Sequence, residues 1–270
     1  MNTELQKAKS AAFRALHRGN ILILPNAWDV ASARTIQQAG CSAVATTSAG
    51  IAFSLGYPDG QRISREEMLT VVGRIAAAVR VPVTADVEAG YGERPEDAAR
   101  TARDVLAAGA VGMNLEDATG DPQHPLFDLT LQIERVKAVQ ETEIVLNART
   151  DVYLLEVGAP EKRYDEAVLR LAAFRDAGAD CVFVPGLRDA ATIGRLVKDL
   201  QCPVNILAGP GSPPVPELRK LGVARVSVGS AAMRATLGLL RRIAEELNSA
   251  GTYATLEGGI PFAEVNRMME

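Results

Sequence analysis

Eight short apolar segments alternating with amphipathic stretches predict an α/β protein of the (β/α)₈, or TIM-barrel, class. Three observations carry this reading. The 270 residues suit one large α/β unit. The apolar segments are short, bounded by turn residues and without clean alternation, as strands covered on both faces are. An Ala-Gly phrase recurs at Ala39-Gly40, Ala108-Gly109 and Ala177-Gly178, each just ahead of a strand. It marks a repeated helix-to-strand joint, where glycine supplies the left-handed stop. A doubly wound sheet would place a glycine-rich turn after its first strand. Here that strand leads into Pro25-Asn26-Ala27-Trp28-Asp29 instead.

The predicted strands are Ile21–Leu24, Ala43–Thr46, Val83–Asp86, Gly112–Leu115, Ile144–Ala148, Cys181–Val184, Val204–Leu207 and Arg225–Val228. A helical pattern follows each. Arg94-Pro95-Glu96-Asp97 is a helix start, with proline in the first turn and acids at the positive end of the dipole. The whole of 1–270 reads as one barrel domain. Residues 1–19 are expected as an N-terminal helix. Residues 230–270 are expected as a C-terminal helical extension outside the barrel or at a subunit interface.

Composition narrows the function. The net charge is −4 and 47% of residues are hydrophobic, which excludes a broad nucleic-acid surface. No stretch approaches a membrane span, and the start lacks the apolar core of a signal peptide. Cys41, Cys181 and Cys202 have neither zinc spacing nor an even disulfide count and read as packing residues. A reduced, cytoplasmic setting is the expectation. The six lysines all fall away from strand ends, which argues against a Schiff-base aldolase. Only His17 and His124 are present, so a multi-histidine metal site is excluded. His17 reads as a surface residue. His124, in the loop after the fourth strand, is a candidate for substrate contact.

Barrel active sites form where strands end. Those ends carry Thr47-Ser48-Ala49-Gly50, then Asp86-Val87-Glu88-Ala89-Gly90-Tyr91-Gly92, Glu116-Asp117 and Arg149-Thr150-Asp151. Asp86, Glu88 and Glu116 would repel one another at one mouth. A hard divalent cation resolves this, since Mg²⁺ needs only one or two direct carboxylates and keeps several waters. Asp86 is the expected direct ligand, with Glu88 and Glu116 near it through water. Arg149 is expected to balance charge and grip a carboxylate bidentately. The small residues Ser48, Ala49 and Gly50 allow close approach of backbone N–H groups to an anion. A structural ion-pair network is the competing reading of the acids, and a tight turn that of Ser48–Gly50. Asp59, in Gly56-Tyr57-Pro58-Asp59-Gly60, reads alone as a turn residue. The glycines at Gly209-Pro210-Gly211-Ser212 and Gly229 read as turns or as a phosphate site.

Together with Leu24-Pro25-Asn26-Ala27-Trp28-Asp29, Leu55–Gly60 and Asn114-Leu115-Glu116-Asp117, these phrases make the chain resemble the isocitrate lyase/phosphoenolpyruvate mutase superfamily over nearly its whole length. The resemblance implies Mg²⁺, with Mn²⁺ as a substitute, on Asp86, with Glu88 and Glu116 in its shell and Asp59 near its waters. It implies a small α-keto or 2-hydroxy carboxylate held by Thr47, Ser48, Ala49, Gly50 and Arg149, with Asn205 as a further polar contact. It implies bond cleavage beside a pyruvyl unit through an enolate, and a homotetramer of helix-swapped dimers. The departures are instructive. The family's lyases carry a Lys-Lys-Cys-Gly-His loop after the fourth strand, and here Ala118–Pro125 has neither cysteine nor lysine. That argues against isocitrate or methylisocitrate cleavage and favours a Mg²⁺-dependent C–C lyase or decarboxylase, oxaloacetate decarboxylation being the simplest case. A C–P bond enzyme like phosphonopyruvate hydrolase or phosphoenolpyruvate mutase, and a non-catalytic metabolite binder, are the alternatives. Tyr57, Tyr91 and His124 are the candidate proton donors.

Overall fold

A computed structural model describes residues 3–270. Nine parallel strand segments form one sheet: β1 (Leu22–Leu24), β2 (Asn26–Ala27), β3 (Val44–Thr46), β4 (Val83–Asp86), β5 (Gly112–Glu116), β6 (Val145–Arg149), β7 (Cys181–Phe183), β8 (Val204–Leu207) and β9 (Arg225–Ser227). The sheet order runs β1-β9-β8-β7-β6-β5-β4-β3-β2. β1 and β2 are two pieces of the first barrel strand, so the sheet closes on itself as the eight-stranded barrel that the sequence predicts. The break falls at Pro25, which has no N–H to donate to the ladder. Asn26 repairs the seam. Its Nδ2 donates to the Thr46 carbonyl at 2.7 Å, and its Oδ1 accepts from the Val228 and Gly229 N–H groups at 2.9 and 2.8 Å. One side chain thereby ties the first strand to both of its neighbours.

The helices are α1 (Thr3–Leu16), α2 (Val30–Gln38), α3 (Ser48–Ser54), α4 (Arg65–Ala78), α5 (Pro95–Ala108), α6 (Leu129–Gln140), α7 (Arg163–Asp176), α8 (Ala190–Leu200), α9 (Val215–Lys220), α10 (Ala231–Ser249) and α11 (Phe262–Met269). Their apolar faces pack on the barrel through buried residues such as Val72, Ile75, Val105, Val139, Phe174 and Leu196. Full burial of each larger side chain contributes about 1.5–3 kcal/mol. The start foreseen at Arg94-Pro95 is the N-terminus of α5, where Asp97 accepts from the Arg94 N–H. The three Ala-Gly joints all adopt left-handed backbone, with φ of 87° at Gly40, 100° at Gly109 and 105° at Gly178.

α1 closes the base of the barrel. Phe13 is fully buried among Leu22, Leu24, Ala43, Val111 and Val145. It reaches so close to β5 that a Cβ on Gly112 would lie 2.7 Å from its ring. The same docking corrects the reading of His17 as a surface group. His17 follows α1, is buried, and stands edge-on to the Phe13 ring with its Nδ1 2.9 Å from the Phe13 carbonyl oxygen. Burial, with the Arg225 charge adding to it, lowers its pKa to about 4. A helix read alone gave no sign of which face the barrel base would cover.

α10 leaves most of its 19 residues uncovered. Met233 is its one buried residue, while Leu237, Leu239, Leu240 and Leu247 stay exposed. α11 returns to the barrel beside α2, where Arg34 donates to the Met268 carbonyl at 2.6 Å. No described helix is long and apolar enough to cross a membrane.

Candidate active site

The acidic strand ends meet at the C-terminal mouth of the barrel. Asp86 closes β4, and its carboxylate is held from two sides. Oδ2 accepts from the Ser48 N–H at 3.1 Å and the Ser48 hydroxyl at 3.0 Å; Oδ1 accepts from Asn114 Nδ2 at 3.2 Å. Ser48 is placed by α3, whose first turn Thr47 caps by accepting from the Gly50 N–H. Ser48 to Gly50 thus form a helix start and not the tight turn that was the competing reading of this segment. Gly50 has no room for a side chain, because a Cβ there would lie 2.5 Å from Thr47 Cγ2 and 3.1 Å from Trp28 Cβ.

The loop after β4 is bent sharply. Glu88 and Tyr91 take left-handed φ values of 52° and 56°, a conformation that costs non-glycine residues on the order of 1 kcal/mol each. Gln61 holds both: its N–H donates to Glu88 Oε2, and its side-chain Oε1 accepts from the Tyr91 N–H at 2.8 Å. From outside the barrel, the buried Arg135 of α6 donates to the carbonyls of Ala89, Gly92 and Glu93 and stacks on Phe127. Neither Gln61 nor Arg135 stood out in the sequence, since each acts on backbone brought close only by the fold.

Glu116 and Arg149 are register partners at the ends of β5 and β6. Arg149 Nη1 lies 2.6 Å from Glu116 Oε2, and its Nε and Nη2 donate bidentately to Asp151 at 2.6 and 2.9 Å. Arg149 thus engages two of the protein's own acids, Glu116 and Asp151. Beneath them Asp117, fully buried, accepts from the Thr150 hydroxyl, the Asp151 N–H and Arg170. Burial raises Asp117 to about 6, against the pull of Arg170.

The mouth carries more negative charge than its cations offset. Glu88 is raised to about 7 by burial first, then by Asp59 and Asp86. Burial of its carboxyl and the Asp86 charge raise Asp59, although Asp59 lies on an exposed loop. Glu116 is raised well above the usual carboxylate range by burial, with Arg149 opposing. Among the described residues, no three His, Cys, Asp or Glu side chains converge into a preassembled metal cage. A hard cation that keeps most of its waters does not need one. A fixed Asp86 beside carboxyls that raise one another's pKa fits such a cation.

Residues 13–248 match the phosphoenolpyruvate phosphomutase family model. The chain belongs to that family. Through it the chain is part of the isocitrate lyase/phosphoenolpyruvate mutase superfamily. A candidate lyase/mutase of Burkholderia cenocepacia J2315 shares 40% identity and superposes with a TM-score of 0.92, over 98% of this chain and 96% of its own. The 2-methylisocitrate lyase of Escherichia coli K12 is 28% identical across 91% of this chain and 86% of its own. Oxaloacetate acetylhydrolase, in complex with its product oxalate, is 25% identical with a TM-score of 0.83, over 97% and 93% of the two chains.

Tyr91 is partly buried, and its hydroxyl is buried with no hydrogen-bond partner among the described residues. Burial and the Glu88 charge raise its pKa. Asn205 is fully buried and pairs with the Ser227 hydroxyl inside the barrel. His124 is 81% exposed in its side chain and faces Asp121 at 3.2 Å; the fold does not bring it to the acidic group. Ala49 and Gly50 are buried in the first turn of α3.

Proposed function

We propose that this protein is a Mg²⁺-dependent lyase or decarboxylase that cleaves a C–C bond of a small α-keto or 2-hydroxy carboxylate. The observation that carries the reading is the Asp86 carboxylate, clamped by Ser48 and Asn114 at the mouth beside Glu88, Glu116 and Asp59. Mg²⁺, or Mn²⁺ in its place, would be held by Asp86, with Glu88, Glu116 and Asp59 taking its waters. When bound, it supplies positive charge where an enolate oxygen develops. The chain's own groups do the rest. Arg149 orients one substrate carboxylate, exchanging part of its contact with Glu116 or Asp151 for that anion. The first turn of α3 closes the pocket wall and leaves the Ala49 N–H to face an anion, since the Thr47, Ser48 and Gly50 N–H groups already donate to the Ala27 carbonyl, Asp86 and Thr47 Oγ1. Tyr91, whose buried Oη has no hydrogen-bond partner among the described residues, is the proton donor.

The loop from Asp117 to Phe127 contains neither Lys nor Arg. A phosphonate would find no cation there, so the C–C reading stands ahead of the C–P reading. Cleavage of oxaloacetate by a relative with oxalate as product supports the same substrate class.

Purified protein with Mg²⁺ and a panel of oxaloacetate, 2-alkylmalates, methylisocitrate and phosphonopyruvate, followed by NMR, tests this. One C–C substrate is expected to turn over and to be lost with Asp86→Ala. Ser48→Ala is expected to cost roughly 10–100-fold, as loss of a ligand's hydrogen-bond partner does. No turnover across the panel, with no Mg²⁺-dependent binding of oxalate, would leave the reading without support. We also propose that α10 and the tail pack on a second copy, as the first half of a homotetramer, because the apolar face of α10 finds no cover in its own chain.

A further inference from the structure

We infer that Arg225 is a positioning residue for the mouth: from inside the barrel it fixes the polarity of the Asn114 amide, and through it the Asp86 carboxylate. The inference rests on the reading of Asp86 as a cation ligand.

Asp86, Asn114 and Asn147 are register partners on β4, β5 and β6, so their side chains stand at one level. Asn147 Nδ2 donates to Asn114 Oδ1 at 2.8 Å, and Asn114 Nδ2 donates to Asp86 Oδ1 at 3.2 Å. A second donor stands at the outer limit of hydrogen bonding to the same Asn114 oxygen: Arg225 Nη2, at 3.5 Å. Arg225 comes from the far side of the barrel. Successive register partners run Glu116, Arg149, Phe183, Asn205 and Arg225, from the last residue of β5 to the first of β9. The stagger of the strands turns this ladder into a descent from mouth to base.

The chemistry of the chain is directional. An amide can present either its oxygen or its NH₂ to a neighbour, so a pair of asparagines has two orientations. Asn147 does not decide between them, because its Oδ1 has no partner among the described residues. A guanidinium can only donate and an ionised carboxylate can only accept. With Arg225 at one end and Asp86 at the other, a single orientation satisfies both. Inverting Asn114 would set NH₂ against guanidinium and oxygen against carboxylate.

Arg225 is otherwise a poor choice for a barrel core. It is 1% exposed, and its Nε and Nη1 have no partner among the described residues. Burial lowers its pKa to about 10, which leaves it charged at neutral pH. Buried cations with so few partners destabilise a fold. A purely structural Arg225 and a positioning Arg225 thus predict opposite changes on removal.

The test is Mn²⁺ binding to the full-length protein, read from the free-ion EPR signal, beside thermal unfolding. Arg225→Met is expected to weaken Mn²⁺ about tenfold, the scale of losing support behind a metal ligand, while the unfolding midpoint holds or rises. Arg225→Lys, which still only donates, is expected to stay within about threefold of the unaltered protein. If Arg225→Met does not fold, Arg225→Gln replaces it, and its ambivalent amide is expected to show the same weakening. In Asn114→Ala, adding Arg225→Met is expected to change Mn²⁺ affinity little, because the route is already cut. Unchanged Mn²⁺ affinity in Arg225→Met, or a full additional loss on top of Asn114→Ala, overturns the inference. Absence of Mn²⁺ binding by the unaltered protein overturns the cation reading of Asp86 and the inference with it.

Discussion

At the scale of single residues, burial decides behaviour more than identity does. His17 is the clearest case. Its ordinary pKa near 6.5 falls to about 4 on folding, so between those values the unfolded chain binds the proton and the folded one does not. The stability tied to neutral His17 is therefore full above pH 6.5 and is lost as pH falls toward 4. It amounts to something on the order of 3 kcal/mol. The difference in unfolding free energy between the protein and His17→Leu is expected to shrink across that window, whereas a pH-independent difference would place His17 in water. Gly50 makes a steric prediction. A Cβ at 2.5 Å from Thr47 must push the first turn of α3 away, so Gly50→Ala is expected to cost about 1–3 kcal/mol in denaturant unfolding and to weaken oxalate binding. The acids at the mouth were legible because residues at strand ends can be counted off. The buried roles of His17, Asn114, Asn147 and Arg225 were not, since barrel interiors are ordinarily filled by branched apolar side chains.

At the scale of elements, the strands agree with their prediction to within a residue or two, Val83–Asp86 and Val204–Leu207 at both ends. Apolar runs between turn signals carry that information locally. The split of the first strand at Pro25 was present in the sequence but unread, because its meaning depends on which strands flank it. Asn26 supplies what the proline withholds. Asn26→Ala removes one donor and one doubly used acceptor, leaving the Thr46 carbonyl and two N–H groups without their partner. A loss of about 3 kcal/mol in unfolding free energy is expected. Hydrogen exchange is the sharper measurement: Val228 and Gly229 should lose protection while Glu116 and Arg149, at the ends of β5 and β6 across the barrel, keep theirs. Uniform loss around the barrel would show that Asn26 does not act at the seam. The loop after β4 teaches the complementary lesson. Its acidic residues are readable, but its bend is set by Gln61 and Arg135 from separate elements.

At the scale of the molecule, the eight-stranded closure follows from the sequence pattern, whereas the fate of the last barrel helix follows from its packing. Leu240 is 60% exposed and Leu247 45%. Exposed apolar residues along one helix are the kind of surface that the proposed assembly would cover. For the assembly proposed above, Leu240→Glu with Leu247→Glu is expected to lower the mass measured by light scattering, with the barrel's circular dichroism unchanged. An unchanged mass would assign that face another role. The acidic mouth and the α10 face are separate in the chain, so a dissociated variant that still binds Mg²⁺ would show that each protomer holds a complete site.

The seam at Asn26 also sets an order in time. Its two bonds to the residues just after the last strand span 202 and 203 of the 270 residues. During synthesis, which adds residues at about 5–20 per second, β3 to β6 and every acidic residue of the mouth emerge well before Val228 exists. The half-barrel that carries Asp86, Glu116 and Arg149 must wait with two open edges, and contacts of such long sequence separation form slowly. During synthesis closure cannot come before Val228 has emerged, and until then the strand edges it would pair stay open.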